Sequence, residues 1–177
     1  MGTQTRFLSQ RKLLRQAIER EITPLLLKRG YKVRRAHGDI EFRKETHDQL
    51  HILNIQFDKW NRPLFRVNLA RFPSSGIIDE FGNLKAGDGL EYFSSDQRAQ
   101  LYPHSLWIVM PPWFSARPYF TKQDVKKVHG AAARLIELLP VAEEWLRTGK
   151  VTKYINVFRL RRADPGTLSQ VAPSDRS

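Results

Sequence analysis

The sequence predicts an α+β fold in which an antiparallel sheet of four to six strands is packed on one face by an N-terminal helix and a C-terminal helix. Apolar residues recur at helical spacing between Ser9 and Arg29, and again from Thr121 onward. Between Tyr31 and Phe72 apolar and polar residues alternate instead, as in strands with one buried face. The 177 residues fit one domain, which we place at 1–160, with 161–177 as a disordered tail.

The first helix is predicted from its apolar stripe and from two residues that limit it. Pro24 lacks a backbone N–H group, so the helix should kink or restart there. Gly30 suits the left-handed position that commonly follows the last helical turn. The spacing predicts that one side of the helix packs on the sheet, namely Leu14, Ile18, Ile22 and Leu25.

Four strands should follow as an antiparallel meander with short polar turns. The first begins at Tyr31 and Val33. In the later strands apolar residues occupy alternate positions and therefore share one face: Ile40 and Phe42, then Leu53, Ile55 and Phe57, then Phe65, Val67 and Leu69. The predicted core joins these strands to both helices and includes Leu14, Ile18, Ile22, Leu25, Ile55, Phe57, Val67, Leu69, Val128 and Leu135.

The sequence between 73 and 120 predicts less regular structure. Residues 73–96 are rich in turn formers, which indicates a long excursion with a loose hairpin. "SLWIVM" at 105–110 is a strand candidate, and three prolines make 111–120 a loop. A second helix should begin near Thr121, followed by a short helix that begins at Pro140 and ends at Gly149. Residues 150–160 fit either a strand or a helix.

Polar side chains on two neighbouring strands form the main candidate binding surface. In "LNIQFDKWNRPLFRVNLARF", residues 53–72, Asn54 and Gln56 point away from the apolar face, as do Arg66 and Asn68 on the next strand. Asn is depleted in strands, and residues that oppose local propensity often mark functional or specially bonded positions. Trp60 has the same parity and offers a stacking plane nearby. The pattern fits a solvated outer face, a recognition surface, or a polar network buried under another element.

The same stretch resembles a known family. "ITPLLLKRGYKVRR", followed by "LNIQFDKW" and "FRVNLARF", is similar to the uncharacterised domain-of-unknown-function family 4304. The shared features are a helix that ends in a Gly-aromatic step at Gly30 and Tyr31, an Asn-x-Gln strand core at 54–56 and a Val-Asn-Leu strand core at 67–69. The resemblance covers mainly residues 10–72. It implies a small α+β fold and brings no known activity.

Positive charge is concentrated at the two ends of the chain. The net charge is +12, with +8 in residues 1–35, +5 in residues 147–177 and −1 between them. If the two ends lie together in the fold, they form one basic patch able to attract an anionic partner. The predicted patch consists of Arg11, Lys12, Arg15, Lys32, Arg34, Arg35, Arg159, Arg161 and Arg162.

Composition and the absence of known motifs exclude several kinds of function. The absence of cysteine excludes disulfides and thiolate catalysis. No apolar run is long enough to span a membrane, and the N-terminus lacks the apolar core of a signal peptide. We therefore expect a cytoplasmic protein that does not bind membranes. No motif predicts a catalytic site, a cofactor or a metal.

These observations predict a non-catalytic binding or interaction module whose basic patch docks an acidic protein surface. A first alternative is a nucleic-acid-binding module that uses the basic termini and the polar sheet face. A second alternative is a small-ligand-binding or enzymatic domain.

Overall fold

The computed structural model describes residues 2–36, 38–60, 62–79, 81–105, 112–115 and 125–158. Within these ranges the helices are α1 (Gly2–Glu21), α2 (Thr23–Lys28) and α3 (Val125–Thr148). Pro24 lies in the first turn of α2, where a missing N–H group removes no helical hydrogen bond. The helical stretch therefore restarts after Ile22, one of the two outcomes that the sequence predicts. Gly30 has a φ of +85°, in the left-handed region expected after α2.

The strands are β1 (Lys32–Ala36), β2 (Asp39–Glu45), β3 (Gln49–Phe57), β4 (Leu64–Pro73), β5 (Ile77–Ile78), β6 (Leu84–Lys85), β7 (Gln97–Leu101), β8 (Phe114–Ser115) and β9 (Ile155–Phe158). Six of them form an antiparallel sheet in the order β1-β2-β3-β4-β7-β9, and β8 pairs with the start of β4 as a seventh. β5 and β6 form a separate hairpin. The predicted α+β class, an antiparallel sheet with the helices packed against it, is confirmed.

The hydrophobic core lies between the helices and one face of the sheet. It contains nine of the ten predicted core residues: Leu14, Ile18, Ile22, Ile55, Phe57, Val67, Leu69, Val128 and Leu135. The exception is Leu25, which is only partly buried, whereas Leu26 is fully buried. Leu26 follows Ile22 by four residues and Leu25 follows it by three; both spacings lie on one side of a helix, so the periodicity alone does not choose between them.

α3 corrects the prediction of two helices in the C-terminal part. The sequence predicts a separate helix that begins at Pro140, and this is wrong, because α3 continues through Pro140 to Thr148. Pro140 is exposed, while Leu139 and Ala142 beside it are fully buried. An interior proline costs about 3 kcal/mol, and burial of the apolar side of α3 offsets this cost. Gly149 has a φ of +75° and ends the helix as predicted.

The excursion between β4 and α3 contains more strand than the sequence predicts. The predicted loose hairpin is β5–β6. β7 is an unpredicted strand, because three polar residues among its five obscure the alternation of Ala99 and Leu101. The prediction that 111–120 is all loop is wrong at Phe114 and Ser115, which form β8 because the three prolines lie outside this pair. The ambiguous segment 150–160 contains a strand, β9.

Three predictions concern residues that the structure does not describe. The candidate strand at 105–110 lies almost entirely outside the described residues, as do the predicted helix start at Thr121 and the predicted tail 161–177. Among the helices of the described ranges, none is long and apolar enough to cross a membrane.

Candidate functional site

One row of polar side chains crosses the six strands of the main sheet on the face opposite the core. The strand register places directly opposed residues in the order Arg34, Glu41, Asn54, Asn68, Gln100 and Asn156. Neighbouring strands are about 4.8 Å apart, so adjacent side chains in the row lie within reach of one another. Asn54 and Asn68 share this face, as the alternation predicts, and the row extends beyond their two strands.

The centre of this row is a chain of hydrogen bonds between carboxamides. Asn68 Nδ2 donates to Asn54 Oδ1 at 3.1 Å, and Gln100 Nε2 donates to Asn68 Oδ1 at 3.0 Å. Gln56 Oε1 accepts from Arg66 Nε at 2.5 Å and from Asn68 Nδ2 at 3.4 Å. We call these five residues the amide network. It contains four of the five residues predicted for the sheet face.

The centre of the amide network is buried, whereas Gln56 and Arg66 at its end are partly exposed. Asn54 and Asn68 are each 4% exposed, and Gln100 is 7% exposed. Residues 87–95, which we call the covering segment, lie over this face and contain two short 3₁₀ turns, Gly87–Gly89 and Tyr92–Ser94. The burial of Asn54 and Asn68 agrees with the third interpretation of the amide pattern, a polar network buried under another element.

Apolar packing holds part of the covering segment on the sheet. Leu90 is 1% exposed and belongs to a second hydrophobic cluster, and Tyr92 packs against this cluster. The sheet residues of the cluster lie on the same face as the amide network, farther along β3 and β4: Leu50, Ile52, Ala70 and Phe72. This face is therefore apolar at one end and polar at the other.

A buried arginine holds the rest of the covering segment. Arg43 on β2 donates from Nη1 to the Gly87 carbonyl at 2.9 Å and from Nη2 to the Leu90 carbonyl. Its Nε donates to Glu41 Oε1 at 2.6 Å, and both side chains are buried. A buried charge requires a partner and further hydrogen bonds, and Arg43 has both. The arginine thus fixes the backbone of the covering segment to the sheet.

Tyr92 adjoins two cavities between the covering segment and the sheet. The first has a volume of about 340 Å³ and is called here the arginine pocket; its lining is Arg66, Asn68, Tyr92, Arg98, Ala99, Gln100 and Phe158. The second has a volume of about 200 Å³ and is called the acidic pocket; its lining is Arg34, Asp39, Glu41, Asn54, Gln56, Glu91, Tyr92 and Phe93. The amide network supplies side chains to both cavities.

The arginine pocket contains two guanidinium groups and no carboxylate in its lining. Arg66 Nε bonds to Gln56, and the Arg66 guanidinium carbon lies 5.4 Å from the centre of the Trp113 ring. Arg98 Nε is buried and has no hydrogen-bond partner in the described part of the chain. Buried N–H groups are nearly always hydrogen-bonded, and a charged one left without an acceptor is especially costly. A bound anion would supply that acceptor.

Tyr92 lies between opposite charges. Burial raises the pKa of its hydroxyl; Asp39 and Glu41 raise that pKa further, while Arg66 and Arg98 lower it. The hydroxyl is therefore protonated at neutral pH and able to donate a hydrogen bond to a ligand beside it.

Trp60, the fifth residue predicted for the sheet face, lies in the turn after β3. It is 69% exposed, and Lys59 Nζ lies 5.0 Å from the centre of its ring. Asp58 orders this turn, because its Oδ2 accepts from Trp60 N at 2.9 Å and from Arg62 Nε at 3.0 Å. The hydrogen bond from Arg62 is the main reason that the pKa of Asp58 is lowered. Trp60 does not line either cavity.

Part of the predicted basic patch forms a mixed surface on α1 and β1. Arg15 and Arg35 both lie near Glu19, with N–O distances of 3.6 and 3.4 Å. One carboxylate therefore neutralises part of the charge between the helix and the edge strand. The remaining described residues of the patch are Arg11 and Lys12 on α1, and Lys32 and Arg34 on β1.

β1 carries part of the predicted basic patch, and β9 directly precedes the three C-terminal members of the patch in the chain. β1 and β9 form opposite edges, and five strand spacings place them about 24 Å apart. The three C-terminal members of the predicted patch follow β9 but lie outside the described residues: Arg159, Arg161 and Arg162.

Three polar residues of the arginine pocket are not among those predicted from the sequence. Arg98 and Gln100 come from β7, and Tyr92 comes from the covering segment. The signal for the first two is the alternation in "QRAQL", where Arg98 and Gln100 share one face and Ala99 and Leu101 share the other.

No family model, curated protein or solved structure matches this chain. The resemblance to family 4304 therefore stays a prediction. Function has to be inferred from the geometry of the site itself.

Proposed function

We propose that the protein is a non-catalytic binding module whose recognition site is the arginine pocket and whose ligand is a small organic anion. The observation that supports this proposal most directly is the buried Nε of Arg98, which has no hydrogen-bond partner in the described ranges. A second guanidinium, that of Arg66, lines the same cavity without an acidic neighbour in that lining. The volume of about 340 Å³ lies within the range of small-molecule sites.

The chemistry of the lining favours binding over catalysis. Arginine and carboxamide side chains donate hydrogen bonds but do not act as general bases near neutral pH. Asn68 and Gln100 bond to each other at 3.0 Å, which fixes the orientation of both groups. Tyr92 adds a protonated hydroxyl and an aromatic wall. An organic anion would meet fixed donors at its charged end and an apolar surface along its body.

Calorimetric titration tests this proposal at low ionic strength. We expect hexanoate or glutarate to bind the wild-type protein, and Arg98→Gln to weaken that binding about 10–100-fold, since a hydrogen bond to a charged group contributes about 1.5–3 kcal/mol. Arg35→Gln is the matched control, because Arg35 is exposed on β1 and does not line the pocket. Failure of both carboxylates and of inorganic phosphate to bind at millimolar concentration would refute the proposal.

A second candidate function is the docking of an acidic protein surface on α1 and β1. It is favoured by the exposed Lys12 on α1 and Arg35 on β1, which lies 3.4 Å from Glu19. Polyglutamate binding that weakens with added salt and with Lys12→Gln would support it. Mixed-sequence single-stranded DNA serves as the comparison anion. The burial of Asn54 and Asn68 argues against recognition of bases by the amide network.

A further inference from the structure

We infer that the ligand of the arginine pocket is a dicarboxylate that places one carboxylate at each arginine. This inference rests on the proposed function and specifies its ligand class. It follows from where the two guanidinium groups are anchored, from the partners that each group lacks, and from the apolar walls between them.

The two arginines are anchored at opposite ends of the pocket floor. Asn68 on β4 and Gln100 on β7 are directly opposed and form the floor. Arg66 precedes Asn68 by two residues, whereas Arg98 is opposed to Ala70, two residues beyond Asn68. The two arginines are therefore four residues apart along the strand direction, or about 13 Å at 3.3 Å per residue.

Each guanidinium has N–H groups without an acceptor in the described part of the chain. Arg66 uses Nε for Gln56, while its terminal nitrogens have no hydrogen bond there. Arg98 has no hydrogen-bonded side-chain partner there, and its Nε is buried. A monocarboxylate would supply acceptors to one of these groups and leave the N–H groups of the other without one. The spacing of about 13 Å between the two Cα positions, together with the hydrogen bond that holds Arg66 toward Gln56 on β3, favours an anion longer than phosphate, and a dicarboxylate supplies acceptors to both groups.

The walls of the pocket indicate the chemistry of the linker that joins the two carboxylates of the ligand. Tyr92 and Phe158 line the cavity, and Phe158 is directly opposed to Arg98 across β7 and β9. These rings offer apolar contact to a ligand that extends along the floor between the two arginines. Methylene groups gain free energy on burial against such a surface, whereas a polar linker would lose hydration without gaining a partner. The ligand class is therefore an α,ω-dicarboxylate with an apolar linker.

A length series measured by calorimetry tests this inference on the wild-type protein. The probes are glutarate, adipate and pimelate, with hexanoate as the monocarboxylate and inorganic phosphate as the compact anion. We expect the best dicarboxylate to bind at least about tenfold more tightly than hexanoate, since its second carboxylate gains a charge-assisted contact. Affinity should also reach a maximum at one length, because only that length lets both carboxylates reach their arginines.

Variants then assign the two ends of the ligand. Arg66→Gln and Arg98→Gln should each reduce the affinity for the best dicarboxylate to about the level of hexanoate, while circular dichroism verifies that both variants are folded. Equal affinities for hexanoate and every dicarboxylate would overturn the inference and leave the proposed function intact. Tightest binding of phosphate would overturn the inference and would also contradict the organic class of the proposed ligand. If no probe binds, the proposed function fails as well.

Discussion

Replacement of Asn68 by alanine tests whether the central amides of the network, Asn54, Asn68 and Gln100, are buried and bonded to one another. Asn68 is 4% exposed, accepts from Gln100 and donates to Asn54 and Gln56. Alanine removes the partner that they share, so Gln100 loses its acceptor and Asn54 loses its donor while both stay buried. Each buried polar group left unsatisfied costs about 1–3 kcal/mol, so the two together predict a loss of about 2–6 kcal/mol in the free energy of unfolding.

Urea denaturation measures this loss, and the same row of the sheet provides a matched control. Asn156 is only partly buried, and its Nδ2 lies 3.5 Å from the Tyr102 hydroxyl, at the limit for a hydrogen bond. Asn156→Ala should therefore cost less than about 1 kcal/mol. A similar m-value in all three proteins indicates that the comparison concerns stability rather than compactness. If Asn68→Ala costs no more than Asn156→Ala, the network is hydrated and the description of a bonded, buried polar face is wrong.

Two further predictions concern a buried arginine and a buried histidine. Arg43→Met should lower the free energy of unfolding by about 3–5 kcal/mol, because Glu41 stays buried without its cation. It should also make the covering segment susceptible to limited proteolysis. The control Arg35→Met, at an exposed ion pair, should lower the free energy of unfolding by less than about 1 kcal/mol. Unchanged cleavage in Arg43→Met would contradict its role in holding that segment. Burial lowers the pKa of His51 to about 4 from an ordinary value of 6.5, so the unfolded chain binds the proton first on acidification. The free energy of unfolding should therefore fall by about 1–2 kcal/mol between pH 7 and pH 5. Urea denaturation at both pH values should show a smaller fall for His51→Gln than for the wild-type protein. An equal fall in both proteins would exclude His51 as the cause.

The strand meander could be predicted because the alternation that defines each strand is visible in neighbouring residues of the sequence. Side chains in a strand alternate with a period of two, so the apolar sets on β3 and β4 define both the buried face and its opposite. Short polar turns then leave one simple way to pair consecutive strands. The same argument places Asn54, Gln56, Arg66 and Asn68 on one face, and the hydrogen bonds among them agree with that placement.

The covering segment could not be predicted because long-range contacts determine its position. Arg43 donates hydrogen bonds to carbonyl groups 44 and 47 residues later in the chain. A periodic pattern of neighbouring residues does not predict hydrogen bonds over such distances in the sequence. Leu90 is buried by residues of β3 and β4, yet its own neighbours in sequence are turn formers. Alternating polar residues in a strand normally indicate a face toward solvent, so the alternation alone does not predict which element covers this face.

The position of the polar residues on the covered face supports a role in binding. The other end of the face packs Leu50, Ile52, Ala70 and Phe72, although the register also places Arg43 beside Ile52 and Arg98 beside Ala70. This fold therefore buries a largely apolar surface there. Replacement of buried ionic groups by well-packed apolar residues is often neutral or stabilising. The amides nevertheless occur where the two cavities lie, and Asn68 and Gln100 line the arginine pocket together with Arg66 and Arg98 and without a carboxylate among the described residues of its lining. Stability alone does not explain this arrangement, and the two guanidinium groups of the lining are the observation that supports binding of an anion.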